Sequence, residues 1–218
     1  PILLYHVLGA TAMSNTLESN YVSTLSPSQD SYLSMYIEVG SEVKINNNAM
    51  VTQADLEASN GVIHVIDKVI LPATIVDLAV ANSEFSSLTA ALVQEGLAEV
   101  LSSTSSFFTV FAPNNDAFSN YLSESGFSGL GDIPSEALTD VLLYHVIGSS
   151  IKSTDLTAGY AGSLLTSFDE NATSLLIGLD NGVTINSNSM VIAADIIGTN
   201  GVIHAVDQVI SPQTVVDI

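Results

Sequence analysis

The chain has no cysteine and no arginine, and its only basic side chains besides four histidines are Lys44, Lys68 and Lys152. The absence of cysteine excludes disulfides, thiol chemistry and zinc–thiolate sites. With a formal net charge of −20 the chain cannot neutralise phosphates, which argues against nucleic acids and anionic membrane surfaces as partners. No run of about 18 apolar residues occurs, so no membrane-spanning helix is predicted.

Signatures of the common enzyme classes are also missing. The sequence contains no Gly-x-Ser-x-Gly, no P-loop and no His-Glu-x-x-His. Asp180, Asn181 and Gly182 begin like a calcium loop, but the ligand positions that follow are apolar, which excludes an EF-type site. We therefore predict no catalytic residue, no cofactor and no bound metal.

What the chain does contain is one stretch that occurs twice. Residues 60–72 read Asn-Gly-Val-Ile-His-Val-Ile-Asp-Lys-Val-Ile-Leu-Pro, residues 200–212 read Asn-Gly-Val-Ile-His-Ala-Val-Asp-Gln-Val-Ile-Ser-Pro, and nine of the thirteen positions are identical. Asn-Gly favours a tight turn, the β-branched apolar run behind it is typical of a strand buried on both faces, and proline ends the hydrogen-bond ladder. Each copy therefore predicts a turn, a central strand and a stop.

A second repeated motif fixes the register of the duplication. Leu-Leu-Tyr-His-Val-Leu-Gly at 3–9 recurs as Leu-Leu-Tyr-His-Val-Ile-Gly at 142–148, an offset of 139 residues, whereas the histidines of the longer stretch are 140 apart. One residue was therefore gained or lost between the two motifs. A period of this length is that of a domain and is too long for a solenoid repeat. We predict a partial domain at 1–73, without its N-terminal half, followed by a complete domain at 74–218.

Hydrophobic periodicity assigns helices to the first part of the complete copy and mainly strands to its last part. Helices are predicted at 74–81, 85–101, 114–122 and 134–143. Strands are predicted at 107–111, 164–168, 174–179, 183–185, 190–194 and 201–210, with hairpin turns at 180–182 and 186–188. Helices followed by a meander of strands indicate the α+β class.

Three motifs of the second copy occur in the order found in a known family. They are Phe-Thr-Val-Phe-Ala-Pro-Asn-Asn-Asp-Ala-Phe at 108–118, Leu-Tyr-His-Val at 143–146 and Asn-Gly-Val-Ile-His at 200–204. With these motifs the chain resembles the fasciclin domain over nearly its whole length, and the first copy keeps the last two of them. The resemblance implies an α+β, wedge-shaped β-sandwich with packed helices, repeated in tandem.

The resemblance also carries a function. Members of the family are mostly secreted, surface-anchored or matrix proteins that mediate adhesion. A non-enzymatic adhesion or protein-interaction module outside the cytoplasm, with protein or glycan partners, is therefore implied. A structural accessory subunit of a larger extracytoplasmic or membrane-associated assembly is the alternative. A hydrolase is a third reading, because histidines and carboxylates are present although no nucleophile motif is.

The tyrosine–histidine pairs are interpreted as structural. A histidine inside an apolar run is more often a hydrogen-bonded core residue than a ligand or a base. In fasciclin-like domains this histidine and the Asn-Asp after the proline tie helix to sheet, so we expect His145 to bond Asp116 or a nearby backbone group and His6 to lack such a partner. The predicted structural residues are Tyr5, His6, His64, Thr109, Asp116, Tyr144, His145 and His204.

Two acidic dipeptides before the Asn-Gly turns are candidates for partner binding. Asp55-Leu56 and Asp195-Ile196 lie where animal fasciclin domains carry an Asp-Ile motif implicated in integrin binding, so the resemblance implies a partner contact there. The alternative is an aspartate that closes a turn through its own backbone. Asn171, in Asn-Ala-Thr, is a glycosylation sequon that matters if the protein is eukaryotic and secretory.

The first copy lacks counterparts of roughly residues 75–139, which supply much of the predicted core of the second copy. We therefore expect the first copy to expose an apolar area larger than the patch of roughly a few hundred Å² that a soluble monomer usually tolerates. We also expect it to present an uncovered strand edge. Three explanations are open: the sequence was cut, preceding residues were not identified, or another chain completes the sandwich. Because Pro1 lies inside a motif and not at a domain boundary, a longer multi-domain protein is favoured.

Overall fold

The structure, a computed structural model, describes residues 2–29, 31–166 and 171–212. The chain forms two compact units: the first unit comprises Pro1–Ser83 with Ile196–Thr199, and the second unit comprises Glu84–Asp195 with Asn200–Ile218. The described ranges contain six α-helices and two sheets, so the predicted α+β class is confirmed. The boundary after residue 73 stays a prediction, because these units are defined by packing and not by the sequence repeat.

The first unit is built mainly from a sheet of five strands. The strands are β1 (Asn20–Ser28), β2 (Ser31–Val39), β3 (Val43–Ile45), β4 (Ala49–Ala58) and β5 (Gly61–Ile66), and they follow one another in space in the same order. Two short helices accompany them, α1 (Ile2–Tyr5) and α2 (Ile75–Ala81). Each neighbouring pair of strands is antiparallel, as expected for a meander.

The second unit begins with helices and continues mainly with strands. The helices are α3 (Ser86–Gln94), α4 (Leu97–Leu101), α5 (Asn115–Ser125) and α6 (Ser135–Tyr144). The strands of its sheet are β6 (Phe108–Pro113), β7 (Val146–Ile147), β8 (Gly159–Thr166), β9 (Ala172–Gly178), β10 (Thr184–Ile185), β11 (Ser189–Gly198) and β12 (Gly201–Val206), in the spatial order β7-β6-β12-β11-β10-β9-β8. The strand predicted at 164–168 corresponds to β8, and residues 167 and 168 lie outside the described ranges.

Local backbone chemistry sets the ends of the helices. The single helix predicted at 85–101 is wrong, because Gly96 adopts φ +69° and separates α3 from α4. Asn114 caps α5 by accepting a hydrogen bond from Ala117 N at 2.9 Å. Thr74 and Asp77 form a capping box at the start of α2. The other helices predicted in this part of the chain are found within a few residues of their expected positions.

The second copy of the repeated stretch forms the central strand that the sequence predicts. This strand, β12, lies between β6 and β11, and all six of its residues are buried. It pairs in parallel with β6, from Gly201 opposite Phe108 to Val206 opposite Pro113. The strand ends at Val206 and not at residue 210. Asp207 N still donates to Met190 O at 3.1 Å, but Met190 N donates to the Asp207 carboxylate at 2.7 Å and not to a backbone carbonyl.

The first copy of the repeated stretch forms an edge strand, so the prediction of a central strand is wrong for this copy. This strand, β5, pairs only with β4. The described part of the first unit has no strand in the place that β6 takes beside β12. Residues of β5 are therefore exposed or half-buried, in contrast to the fully buried residues of β12.

Hydrogen bonds locate the residue that changes the offset between the copies. Residues at the same position in the two copies are called twins below. Thr24 Oγ1 donates to Leu33 O at 2.8 Å, and Ser163 Oγ donates to Thr173 O at 2.8 Å. The two hydroxyl residues are 139 positions apart, whereas their partners are 140 apart. The additional residue therefore lies between Ser163 and Thr173.

Candidate functional site

His145 follows α6 and is hydrogen-bonded through both ring nitrogens. Ile210 N donates to Nε2 at 2.8 Å, so Nδ1 carries the proton and donates to Val141 O at 2.7 Å. Because both nitrogens are used in this way, the expected bond to Asp116 is not formed, and the partners are the backbone groups that were the alternative. Burial lowers the pKa of His145 to about 4, although the bond to Val141 acts in the opposite direction. The neutral ring fastens the end of α6 to the segment after β12.

His204, on β12, is held in a similar way. Asp195 N donates to its Nδ1 at 3.3 Å, so Nε2 donates to Ile151 O at 2.9 Å. Burial lowers the pKa of His204, whereas the Ile151 bond and the Asp195 carboxylate favour the charged form. The carboxylate of Asp195 accepts hydrogen bonds from Ser153 N at 2.7 Å and Ser153 Oγ at 2.5 Å. Asp195 therefore holds the loop that presents Ile151 to the histidine.

Tyr144 anchors α6 to a hairpin of the sheet. Its hydroxyl donates to Ser174 O at 2.8 Å and accepts from Asn186 Nδ2 at 3.0 Å. Asn186 lies in the predicted turn at 186–188, where it adopts φ +52°. Asn186 N donates to Leu176 O at 2.8 Å, and its Oδ1 accepts from Leu176 N at 2.9 Å. One asparagine thus joins the hairpin to the tyrosine.

Thr109 and Asp116 differ in their surroundings and in their hydrogen bonds. Thr109 Oγ1 donates to Ser149 O at 2.6 Å and accepts from Ile151 N at 2.8 Å, so it fixes the loop that His204 also bonds. Asp116 is exposed in the first turn of α5, where the helix dipole favours a negative charge.

The first unit repeats this network with its own residues. Ile70 N donates to His6 Nε2 at 3.0 Å, and Nδ1 donates to Ile2 O at 2.8 Å. The expectation that His6 lacks a partner is therefore wrong, because both partners are backbone groups of its own unit. The other repeated bonds join Tyr5 with Ser34 and Asn46, His64 with Ala12 and Asp55, and Asp55 with Ser14.

This arrangement ties segments together and does not form a nucleophile–base pair. All eight ring nitrogens of the four histidines bond to backbone groups. A serine that histidine activates needs its hydroxyl within hydrogen-bond distance of a ring nitrogen. Ser153 instead donates to Asp195, and the two nitrogens of His204 face the backbone.

Sequence reasoning missed two pairs of residues in the network. Asn46 and Asn186 are 140 positions apart, and Ser14 and Ser153 are 139 apart. Both offsets match those of the neighbouring motifs. Aligning the copies in this register would have found them, because the same polar residue at twin turn positions indicates a shared hydrogen bond.

The two candidate dipeptides for partner binding differ in accessibility. Asp55 and Asp195 both adopt positive φ, +57° and +61°, and each carboxylate accepts from a serine backbone N and Oγ. The bonds from Ser14 lower the pKa of Asp55. Ile196 is buried, whereas Leu56 is exposed. Leu56 is therefore the more accessible apolar side chain, and a partner contact stays a prediction for both dipeptides.

Other kinds of site have little support in the described residues. No three His, Asp or Glu side chains of the described part are grouped so that they could hold a metal ion. Each buried side-chain nitrogen and oxygen in the same ranges has a hydrogen-bond partner. No described helix combines the length and hydrophobicity needed to cross a membrane. Asn171 is exposed, and its glycosylation stays a prediction.

Comparison with known proteins places the chain among fasciclin-domain proteins. The sequence profile of the fasciclin domain family matches residues 1–72 and 83–212, in agreement with the sequence repeat. Transforming growth factor-beta-induced protein ig-h3 from Oryctolagus cuniculus is 32% identical over 215 residues, which cover 97% of this chain and 30% of that protein. Periostin from Homo sapiens is 33% identical over 172 residues, 77% of this chain and 20% of periostin. The chain thus spans less than a third of these two relatives.

A bacterial relative and a solved structure extend the comparison. Protein sll1483 from Synechocystis sp. is 37% identical over 139 residues, 64% of this chain and 73% of that protein. A FAS1 domain pair from the insect cell adhesion molecule fasciclin I matches with a TM-score of 0.62 at 19% identity, over 96% of this chain and 78% of that one. At this identity the match shows the fold, and it confirms the predicted tandem fasciclin architecture.

Proposed function

Because the chain belongs to the fasciclin domain family, we propose that it is a non-enzymatic protein-interaction module that acts in adhesion. It functions outside the cytoplasm, in a secreted, cell-surface or matrix protein or in a periplasm or lumen, and it binds protein or glycan partners. The relatives support this role, since the solved domain pair comes from a cell adhesion molecule.

The observation that carries the proposal is the use of the histidines. They are the side chains best suited to acid–base catalysis near neutral pH. All eight of their ring nitrogens bond to backbone groups, and burial lowers the pKa of both His145 and His204. The histidines are therefore used for structure, and we assign the function to partner binding at the protein surface.

The charge of the chain indicates which classes of partner it can bind. Lys44 pairs with Glu38 at 3.7 Å, Lys152 pairs with Asp155 at 3.6 Å, and Lys68 donates to Asn48 O at 3.0 Å. Against a net charge of −20, these three lysines offer no basic patch for phosphates. The charge favours neutral or basic partner surfaces and disfavours nucleic acids.

The first unit gives specific support to a second role, that of an accessory subunit in an assembly. Large apolar side chains are exposed in the described part of this unit. Such side chains mark interaction surfaces when they cluster. Those exposed in the first unit include Leu3, Leu4, Val7, Ile63, Val69 and Leu71.

An attachment assay tests the adhesion role. Beads that carry the chain through a terminal tag are placed on surfaces coated with single purified matrix proteins or glycans, at about 0.15 M salt. We expect attachment that resists washing on at least one surface and is absent for albumin-coated beads. No attachment on any surface, or hydrolysis of a nitrophenyl ester that His145→Ala abolishes, would contradict the proposal.

The same assay tests the dipeptide in the first unit. Leu56→Ser removes the exposed apolar side chain beside Asp55, and Leu25→Ser is its matched control, because the two leucines are 38% and 37% exposed. If Asp55-Leu56 contacts the partner, only the Leu56→Ser variant loses attachment, while the melting temperatures of the two variants are equal. Equal loss in both variants would count against this contact.

A further inference from the structure

The second unit contains a polar cavity of about 360 Å³ beside α5. Helix α5 contributes side chains between residues 117 and 124, the segment after β12 contributes residues 208–212, and the turn between β10 and β11 contributes Asn188. All of these residues lie within 83–212, the second stretch that the family profile matches. The walls of the cavity therefore all come from one and the same domain.

The polar side chains that line this cavity are not engaged by the rest of the domain. Asn120, Asn188 and Gln208 are exposed, and their carboxamides make no hydrogen bond with any described residue. The hydroxyl of Tyr121 and the carboxylate of Glu124 are likewise without a hydrogen-bond partner in the described ranges. Donors and acceptors from three separate segments are thus free to bind the same ligand.

The asparagines that maintain the fold of this unit are different. Asn186 bonds to Leu176 and to the hydroxyl of Tyr144, and buried Asn200 donates to Leu101 O at 2.7 Å and to Ser103 O at 3.0 Å. Their side chains are occupied within the domain. The free carboxamides of the cavity therefore do not serve the fold in this way.

The first copy carries other chemistry at the corresponding positions. The twin of Gln208 is Lys68, whose Nζ donates to Asn48 O at 3.0 Å, and the twin of Ser211 is Leu71. A charged side chain that bonds the turn and an apolar side chain thus replace a free amide and a hydroxyl. The polar lining is therefore a property of the second copy and not of the repeat.

The charge of the lining indicates the class of ligand. Glu124 is the only charged side chain among the described residues that line the cavity. Without a lysine or a histidine in the lining, the cavity offers no cation to a phosphate, sulfate or carboxylate. A carboxamide offers N–H donors and an oxygen acceptor, and a hydroxyl group is both donor and acceptor. A neutral ligand with several neighbouring hydroxyl groups matches such a lining.

Apolar groups complete the lining. Ala117 is 1% exposed and Val209 is 8% exposed, and the ring of Tyr121 is half-buried. Small-molecule sites usually combine apolar surface with a few polar groups that fix the orientation of the ligand. A sugar ring presents both kinds of surface, because its C–H groups form apolar faces while its hydroxyl groups lie around the edge.

We propose that this cavity binds a neutral saccharide. Hydroxyl groups of the sugar bond to the carboxamides of Asn120, Asn188 and Gln208, and a sugar ring lies against Tyr121. The volume is at the lower end of the roughly 300–1,000 Å³ of small-molecule sites, which suits a short part of a longer glycan. This inference rests on the proposed function, because it specifies a neutral glycan among the partners of an adhesion module.

Titration with soluble trisaccharides tests the proposal. The probes are maltotriose, cellotriose, laminaritriose and mannotriose, each titrated into the intact chain and followed by saturation-transfer NMR. Trigalacturonic acid is the anionic control. We expect saturable binding of at least one neutral trisaccharide, and binding of the anionic control that is weaker by about tenfold or more, because the lining has no cation.

Substitutions in the lining locate the site. Gln208→Ala and Asn120→Ala should each weaken binding by about fivefold or more, as expected for the loss of one hydrogen bond. The melting temperatures should not change, because neither side chain bonds a described residue. Asn181→Ala is the matched control, since Asn181 is an exposed carboxamide outside the cavity, and it should leave the affinity within about twofold.

The Glu124→Gln variant distinguishes a neutral sugar from a basic ligand. Glutamine keeps an oxygen acceptor and removes the charge, so binding of the neutral trisaccharide should stay within about twofold. Three results would overturn the proposal: no binding of any neutral trisaccharide, binding that is indifferent to both alanine substitutions in the lining, or binding that Glu124→Gln abolishes.

The attachment assay separates this inference from the adhesion role on which it rests. Beads that attach to a protein-coated surface, with no trisaccharide bound in solution, would remove the saccharide site and retain the adhesion role. Trisaccharide binding that the lining substitutions weaken, without attachment of the beads to any surface, would retain the saccharide site and contradict the adhesion role.

Discussion

Ile203 is 1% exposed, whereas Ile63, which occupies the same position 140 residues earlier, is 57% exposed. The residues around them are nearly the same, Gly-Val-Ile-His in both copies. The difference comes from β6, which lies beside β12 and has no counterpart beside β5 in the described residues. The environment, and not the local sequence, therefore decides what each isoleucine contributes to stability.

Replacing each isoleucine with alanine measures this difference directly. Ile203→Ala should lower the free energy of unfolding by roughly 2–5 kcal/mol, because it leaves a cavity in a packed core. Ile63→Ala should cost less than about 1 kcal/mol, because little of its surface is removed from water. Urea unfolding followed by circular dichroism suits a chain without tryptophan. Equal shifts in the two variants would contradict the edge position of β5.

The twin glycines should respond in the same unequal way. Gly201→Ala places a Cβ 2.0 Å from Phe108 O and also forces alanine to adopt φ +150°, so a loss of about 1–3 kcal/mol or more is expected. Gly61→Ala should change the free energy of unfolding by less than about 0.5 kcal/mol, as at other unconstrained sites. Thermal melts of both variants check this. A marked loss in Gly61→Ala would mean that the chain itself already covers β5.

The sequence predicted the class, the repeat and most element positions, because these depend on local periodicity and on identities between the copies. It misplaced β5 at a sheet centre, since Gly-Val-Ile-His is the same whether or not a neighbouring strand exists. It joined α3 and α4, because the left-handed conformation of Gly96 interrupts a pattern that is otherwise helical. These errors arise where a neighbour or one backbone angle decides the outcome.

At the candidate site, sequence reasoning found the histidines but not their partners. Ile210, Val141 and Ile151 bond to the rings through backbone atoms, and backbone partners leave no mark in side-chain identity. Asp116 was expected as a partner of His145, beside a nearby backbone group as the alternative, because fasciclin-like domains use this histidine and the Asn-Asp after the proline to tie helix to sheet. A buried neutral histidine needs no charged partner, so the backbone suffices.

Removing the imidazole of His145 tests its structural role. His145→Ala should cost about 1–3 kcal/mol, because the buried Ile210 N and Val141 O lose their partner. His6→Ala is the matched control, since His6 makes the same two bonds but is only half-buried, so that water can replace them. We expect a cost below about 1 kcal/mol for it. Urea unfolding of both variants decides, and an undiminished midpoint for His145→Ala would refute the role.

Acid should weaken the fold in a window set by His145. Its folded-state pKa is lowered to about 4 from the ordinary 6.5, so the unfolded chain takes up a proton that the folded chain does not. Stability is therefore fully present above about pH 6.5 and falls as the pH is lowered towards 4, by about 3 kcal/mol in total for this one group. Burial of His204 acts in the same direction. The lowered pKa values of Asp55 and Glu95 act mainly below their ordinary values of 3.8 and 4.5, so these two groups contribute little to the loss above pH 5.

The variant His145→Gln separates this effect from the changing net charge of the acidic chain. Glutamine does not titrate, and its carbonyl can still accept a bond from Ile210 N. Urea unfolding between pH 7 and pH 5 should show a steeper loss of stability in the unmodified chain, by up to about 1.4 kcal/mol per pH unit, which corresponds to one proton. Subtracting the stability curve of the variant from that of the unmodified chain cancels the contribution of the carboxylates, which both proteins share. Parallel curves, or a His145 ring that titrates near 6.5 by NMR in the folded protein, would show that burial does not hold this histidine neutral.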